Sequence, residues 1–146
     1  MVKIYSMSEA VLNISQELDI IQMRRWPILV VYSPSDFSKE DLQNHLDALG
    51  KIYDTHKEPY VLVLDARSGR RPSATQRKIQ SEFREKYDAH IRQYCRGTAF
   101  VTSSELLKGA ATAMFWVKKP TTVTKFFTDF DEAIVWAEER LKASGA

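Results

Sequence analysis

The feature that most constrains the fold is an apolar run in the middle of the chain. Residues 60–64 read Tyr-Val-Leu-Val-Leu, whereas a strand with one face in water would alternate apolar and polar residues. The run therefore predicts a strand with both faces covered by other elements, at the centre of a sheet. Asp65 follows it directly and opens the loop to the next helix.

Segments with strand and helix patterns alternate four times after Pro27. The predicted strands and the helix after each are residues 28–32 and 38–57, 60–64 and 73–97, 98–101 and 102–118, and 122–127 and 129–141. This alternation is typical of a parallel sheet covered by helices, because parallel neighbours must be joined by a crossover. We expect an α/β fold with a mostly parallel or mixed sheet of about four to five strands.

The first 25 residues are open to two interpretations. A capping-box pattern at Ser6 precedes apolar residues at helical spacing, which favours a helix: Met7, Val11, Ile14, Leu18 and Ile21. The short runs 11–14 and 20–23 are also compatible with strands. Residues 1–25 are thus treated as an extension of a single domain, residues 1–146. Its core is expected at residues 26–142, and residues 143–146 are expected to fray.

Composition limits the classes of protein to be considered. The chain has 146 residues, a length that suits one domain. Its net charge of +2 is too small for a general nucleic-acid binder. It has neither an apolar run of the ~20 residues that span a bilayer nor a basic segment before an apolar one at its start. The single cysteine, Cys95, is expected at a helix end as a buried or half-buried thiol. We expect a cytoplasmic protein with no transmembrane segment.

Basic side chains and free helix-start amides are predicted to converge where the central strand ends. Ligands of open parallel sheets bind at the carboxyl ends of the strands. Ser73 and Gln76 have the pattern of a capping box for the next helix. The residues expected to bind an anion or a partner are Asp65, Arg67, Arg70, Arg71, Ser73 and Thr75.

Patterns typical of metal, nucleotide or catalytic sites are absent from the sequence. His45 and His56 lie eleven residues apart on one predicted helix, roughly 16 Å, which is too far to share a metal. No glycine-rich phosphate loop occurs, and no nucleophile lies at a suitable spacing from a base. A receiver-like site at Asp65 would lack the acidic pair that holds magnesium. We therefore expect no metal, cofactor or catalytic residue, and enzymatic activity is less expected than binding.

The segment 106–117 is apolar on more than one helical face, whereas a helix lying on a sheet needs only a stripe of about 100°. Met114, Phe115 and Trp116 belong to residue types that are common in interfaces. One interpretation is thus an interface with an unknown protein partner or within a homodimer. The other is close packing of the alanines on the sheet, with Trp116 at the edge of the core.

The order of these elements resembles the STAS domain, the fold of bacterial anti-sigma-factor antagonists. The closer resemblance is to an uncharacterised bacterial SpoIIAA-like, or STAS/SEC14-like, family. It covers residues 26 to about 141, and the segments that carry it are 26–31, 62–67, 71–73, 106–110 and 115–116 before Pro120. The resemblance implies a STAS-like fold and a cytoplasmic regulatory or protein-interaction domain without catalytic activity.

STAS antagonists carry a serine, at the start of the helix after this strand, whose phosphorylation switches partner binding. Matched from Asp65, that serine falls at Ala74, between Ser73 and Thr75, and the acid and glycine of the motif are missing. Phosphorylation of Ser73 is one hypothesis, although the interpretation that Ser73 is an N-cap is favoured. The alternative function is binding of a small anionic ligand, such as a phosphate, nucleotide or lipid headgroup, at the arginine loop. The third possible function is that of an enzyme of unrecognised type.

Overall fold

The structure is a computed structural model that describes residues 20–32, 38–67, 73–103, 105, 109 and 121–143. Its elements, in chain order, are β1 (Ile21–Gln22), β2 (Ile28–Tyr32), α1 (Lys39–Thr55), β3 (Tyr60–Asp65), α2 (Ala74–Lys86), α3 (Asp88–Tyr94), β4 (Cys95–Val101), β5 (Thr124–Phe127) and α4 (Phe130–Ala143). The strands form one sheet in the order β1-β2-β3-β4-β5. The α/β class is confirmed, and the apolar run is the central strand.

The sheet is mixed. β2, β3, β4 and β5 are parallel neighbours, whereas β1 pairs with β2 in the antiparallel sense. The register aligns Tyr32 with Asp65, Asp65 with Val101, and Val101 with Phe127. The last residues of the four parallel strands therefore meet along one border of the sheet, which we call the C-terminal edge.

Two different cores cover the two faces of the sheet. The face under α1, α2 and α3, called the aromatic face, contains rings from several elements: Tyr53, Tyr60, Phe83, Tyr87 and Tyr94. The face under α4, called the aliphatic face, is built mainly from small side chains: Val30, Val61, Val63, Ala99, Val101, Ala133, Ile134 and Ala137. A sheet with helices on both faces needs strands that are apolar throughout, as in β2 and β3.

Several sequence predictions are corrected. Ile21 pairs with Val31 in a strand, so the helical interpretation is wrong for this residue and the strand alternative is right. The rest of the predicted helix, residues 1–19, lies outside the described part of the chain. The helix predicted from Ser73 to Gly97 is two helices that meet at Tyr87. The apolar spacing does not reveal this break because rings on both sides of it, such as Phe83 and His90, contact the same side chain, Tyr53.

The fourth strand also begins earlier than predicted. It starts at Cys95, which pairs with Tyr60. Cys95 is also the C-cap of α3, as predicted for a helix end, whereas Gly97 lies in the strand. The Cys95 thiol is buried and free, as predicted for its burial. Leu62 and Leu64 are half-buried, whereas Val61 and Val63, which alternate with them along the strand, are fully buried. Within the described ranges, no helix is both long and apolar enough to cross a membrane.

Candidate functional site

Asp65 is a buried carboxylate at the C-terminal edge. It is 3% exposed, and it pairs with a residue two positions further along the chain. Arg67 donates its backbone N–H to Asp65 Oδ1 at 3.1 Å, its Nε–H to the same oxygen at 2.9 Å, and an Nη2–H to Oδ2 at 2.6 Å. A bidentate, charge-assisted pair of this kind is among the stronger side-chain interactions. Asp65 therefore fixes the position of the Arg67 guanidinium.

The backbone around this pair is held by the neighbouring strands. Ala66 is buried, and its N–H donates to the Val101 carbonyl at 2.8 Å. The Thr102 N–H donates to the Phe127 carbonyl at 2.9 Å, and Thr102 is itself buried. These bonds continue the ladders past the ends of the strands. The turn at Arg67 is thus built on a rigid border.

A second arginine lies near the first. The guanidinium carbons of Arg67 and Arg25 lie 5.5 Å and 5.8 Å from the centre of the Phe130 ring. Tyr32, the last residue of β2, stacks on the same ring with centroids 6.5 Å apart. We call Arg25, Tyr32, Arg67 and Phe130 the Phe130 cluster. An aromatic ring contacted by two cations is a favourable arrangement, because the ring face is electron-rich.

Sequence reasoning missed three members of this cluster. Arg25 precedes β2 and Phe130 begins α4, so they lie more than a hundred residues apart in the sequence. Tyr32 could have been found, because it ends the strand next to β3 and its register partner is Asp65. No local pattern marks the other two.

The electrostatics of Arg67 are dominated by its partner. The hydrogen bonds to Asp65 are the main reason that the pKa of Arg67 is raised above its ordinary value. Burial opposes this shift, and the charges of Asp65 and Asp129 add smaller effects that raise the pKa further. Arg67 therefore remains a cation, while the adjacent carboxylate neutralises much of its charge. The negative charge of Asp65 thus compensates the positive charge of Arg67.

Ser73 forms the predicted cap of α2. Its Oγ accepts from the Gln76 backbone N–H at 3.1 Å, and the Gln76 side-chain oxygen accepts from the Ser73 N–H at 3.0 Å. Both halves of a capping box are present, and Thr75 is exposed in the first turn. The N-cap interpretation of Ser73 is confirmed. Phosphorylation at this serine stays a prediction.

Five predicted residues lie outside the described part of the chain. They are Arg70 and Arg71 of the arginine loop, and Met114, Phe115 and Trp116 of the expected interface. Of the predicted site, the structure brings Asp65 and Arg67 together and places Ser73 and Thr75 at the start of α2. The roles of the other residues stay predictions.

The histidines do not form a metal site within the described residues, where no group of three metal-ligating side chains occurs. All three histidines, His45, His56 and His90, are half-buried. Burial lowers the pKa of His45 on α1 to about 4. His90 lies on the aromatic face, stacked on Tyr53 with ring centroids 4.6 Å apart. His90 therefore belongs to the packing of α3 on the sheet.

Comparison with known proteins supports the fold. The chain matches no protein-family model, and no curated protein is significantly similar to it. One similar solved structure is an uncharacterized protein of the DUF3478 family from Shewanella loihica PV-4, described as having a SpoIIAA-like fold. The two chains are 18% identical, with a TM-score of 0.63, over 80% of this chain and 90% of the other. The fold is SpoIIAA-like. The predicted resemblance is thus confirmed for the architecture.

Proposed function

We propose that this protein is a non-catalytic regulatory domain that binds a protein partner at the C-terminal edge of its sheet. The SpoIIAA-like fold is consistent with a regulatory domain. Function, however, must be argued from the site and not from the fold. The observation that carries the proposal is Arg67, whose guanidinium is fixed by Asp65 and Phe130 although its side chain is 43% exposed.

The guanidinium of Arg67 is suited to binding an acidic group. Its two side-chain hydrogen bonds within the described residues both go to Asp65. A guanidinium has five N–H donors, so about three remain for a carboxylate or phosphate of a partner. Because the side chain is already ordered, binding would cost little further side-chain entropy. Arg25 adds a second positive charge beside the same ring.

Asp65 supports binding more than catalysis. Its two oxygens accept three N–H groups from Arg67, and the residue is buried. A buried carboxylate whose oxygens already accept three N–H groups is a poorly accessible acceptor for a phosphoryl group. The receiver-like hypothesis therefore has little support from this geometry.

Two refinements belong to the proposal. The same arginines suit a small anionic ligand, namely a phosphate, a nucleotide or a lipid headgroup, which is the second candidate function. Phosphorylation of Ser73 would place negative charge at the start of α2, which the helix dipole favours, while replacing the hydroxyl that caps the helix. We propose Ser73 as the regulated position and the cytoplasm as the compartment.

The proposal is tested by anion-dependent stability. The melting temperature is measured against inorganic phosphate, a phosphoserine peptide and its unphosphorylated form, with sodium chloride at matched ionic strength. A real anion site raises the melting temperature as ligand concentration exceeds the dissociation constant. The informative variants are Arg25→Ala, which leaves the Asp65 pair intact, and Arg67→Lys, which keeps a charge beside Asp65 but loses the bidentate geometry.

Arg92→Ala is the matched control, because Arg92 also pairs with an aspartate, Asp88 at 2.6 Å, but on the surface of α3. The proposal expects the phosphate-dependent shift to fall in Arg25→Ala and Arg67→Lys and to persist in Arg92→Ala. Tighter binding of the peptide than of free phosphate supports a protein partner, and equal binding supports a small ligand. Equal shifts in all four proteins would show that the C-terminal edge is not an anion site.

A further inference from the structure

A second surface, unrelated to the arginines, lies between the edge strand β5 and α4. It is an open groove of about 370 Å³. Its floor is apolar and consists of Phe127, Val135 and Trp136. Its rim is charged and consists of Lys125, Asp131, Glu132 and Glu139. We call it the α4 groove.

The floor of the α4 groove is held in place from below. Trp136 lies on the backbone of β4 at Gly97, where a Cβ atom would lie 2.9 Å from the indole Cη2. The Arg140 guanidinium lies 6.0 Å from the ring centre, and Arg140 Nε–H donates to the Arg96 carbonyl at 2.9 Å. Phe127 contacts Trp136 with ring centroids 5.7 Å apart. The floor is therefore preformed.

The groove offers apolar surface to a partner. Val135 is 54% exposed although it lies next to two large rings of the groove. A single exposed valine is ordinary, but apolar side chains grouped inside a charged rim are typical of an interaction site. The apolar side chains provide contact area for a partner, and the charged side chains around them limit the extent of the site.

The rim carries an uncompensated negative charge. Three carboxylates face one ammonium, which is a net charge of −2 on a chain whose total is +2. The salt bridges within the described residues are Asp65–Arg67 and Asp88–Arg92, and none of the rim carboxylates takes part in them. Lys125 lies against the floor, with Nζ 5.4 Å from the centre of the Phe127 ring. The charge of the rim therefore selects a basic partner.

We infer that the α4 groove docks a basic amphipathic helix of another protein. Glu132 and Glu139 are seven residues apart, which is roughly 10 Å along α4. Lysine or arginine at positions i and i+7 of a docked helix would match this spacing. Leucines at i+3 and i+4 would then contact Val135 and Trp136, as in other complexes of a helix bound in a groove.

A second copy of this chain is the less suitable occupant. The basic residues of α2, such as Arg77 and Lys78, could face the groove of a neighbouring molecule. Contact between α4 of one copy and α2 of the next is head-to-tail, however, and such contacts produce open chains unless the rotation closes a ring. A helix from another protein can occupy the groove without forming such open chains.

The test uses a designed helical peptide with lysines at i and i+7 and leucines at i+3 and i+4. Its affinity for the full-length protein is measured by fluorescence anisotropy and compared with that of the same peptide bearing glutamates. The protein variant is Glu132→Lys/Glu139→Lys, and the control is Glu138→Lys, the same charge change on α4 outside the groove lining. We expect the double reversal to lower the affinity for the lysine peptide by at least about tenfold. The same variant should bind the glutamate peptide instead.

The Val135→Asn variant tests the apolar floor without changing its charge and should weaken binding of the lysine peptide by a similar factor, whereas Glu138→Lys should retain most of the affinity. Circular dichroism spectra verify that each variant is folded. Absence of binding to the wild-type protein, or equal binding to wild type and double reversal, would overturn the inference. Self-association without peptide that the double reversal abolishes would overturn it in favour of a second copy.

Discussion

The two faces of the sheet are packed in different ways. On the aromatic face, Tyr53 contacts several rings, including Tyr60 at 5.7 Å, Tyr87 at 5.4 Å and His90 at 4.6 Å between centroids. On the aliphatic face, Ala133 and Ala137 of α4 are fully buried against the valines of β3. Large rings fill the space under three helices, whereas alanines bring one helix close to the strands.

The difference has consequences for polar groups. Within the described residues, both ring nitrogens of His90 are buried without hydrogen-bond partners. The buried Tyr60 hydroxyl interacts with the Tyr53 hydroxyl and the Cys95 thiol but makes no well-aligned hydrogen bond to either. These groups lie on the aromatic face. A buried polar group without a partner costs stability. Among the described residues, the fully buried side chains of the aliphatic face include no titratable group. The aromatic face should therefore be sensitive to ring loss and acid, and the aliphatic face to added volume.

The largest effect is expected for Tyr60→Ala. Tyr60 is 1% exposed and contacts the rings of Trp26, Tyr53 and His90. Its loss should lower the free energy of unfolding by about 3–5 kcal/mol, because the large cavity cannot collapse among stacked rings. Urea denaturation measures this value. A loss below about 1 kcal/mol would contradict a rigid aromatic face.

Ala137→Leu tests the opposite face. Ala137 is fully buried, and the added methyl groups should force α4 away from the sheet at a cost of about 1–3 kcal/mol. The matched control is Val135→Leu, a larger side chain at an exposed position of the same helix, which should change stability by less than about 0.5 kcal/mol. Equal unfolding midpoints for the two variants would show that the aliphatic face has spare volume.

Acid should weaken the aromatic side selectively. Burial lowers the pKa of His45 to about 4, and burial and the charge of Lys57 lower that of His90 against the opposing charge of Asp54. The unfolded chain binds these protons near pH 6.5 and the folded protein does not. The stability that comes from keeping these histidines neutral in the folded protein is therefore complete above about pH 6.5 and is lost as the pH falls toward 4.

For His45 the loss between pH 7 and pH 5 should be about 2 kcal/mol. Urea unfolding at both values, for the wild type and for His45→Gln, isolates this contribution from the titration of carboxylates, which both proteins share. The same slope in both proteins would contradict a buried neutral His45.

The smallest effect is expected for Tyr60→Phe. This change keeps the ring and removes a buried hydroxyl that makes no well-aligned hydrogen bond within the described residues, although it interacts with the Tyr53 hydroxyl and the Cys95 thiol. Stability should be unchanged or increase by up to about 1 kcal/mol. Combined with Tyr60→Ala, the variant separates the contribution of the ring from that of the hydroxyl. A loss above about 1 kcal/mol would reveal a hydrogen bond at this oxygen.

The sequence alone determined the features that depend on neighbouring residues. The apolar run at residues 60–64 is the central strand because a continuous apolar strand must be covered on both faces. The alternation of elements predicts the parallel neighbours because each crossover is itself local. The cap at Ser73 was predictable because both of its hydrogen bonds join residues three positions apart. The pairing of Asp65 with Arg67 is local in the same way, because the two residues lie two positions apart.

The tertiary structure alone decided what depends on distant residues. The break at Tyr87 and the early start of β4 follow from contacts with Tyr53 and Tyr60, which no periodicity in residues 73–97 encodes. The Phe130 cluster joins side chains from both ends of the described chain, and the α4 groove requires β5 and α4 to lie side by side. The physical reason is that helix and strand signals extend over a few residues, whereas sites are formed by packing between elements that are far apart in the sequence.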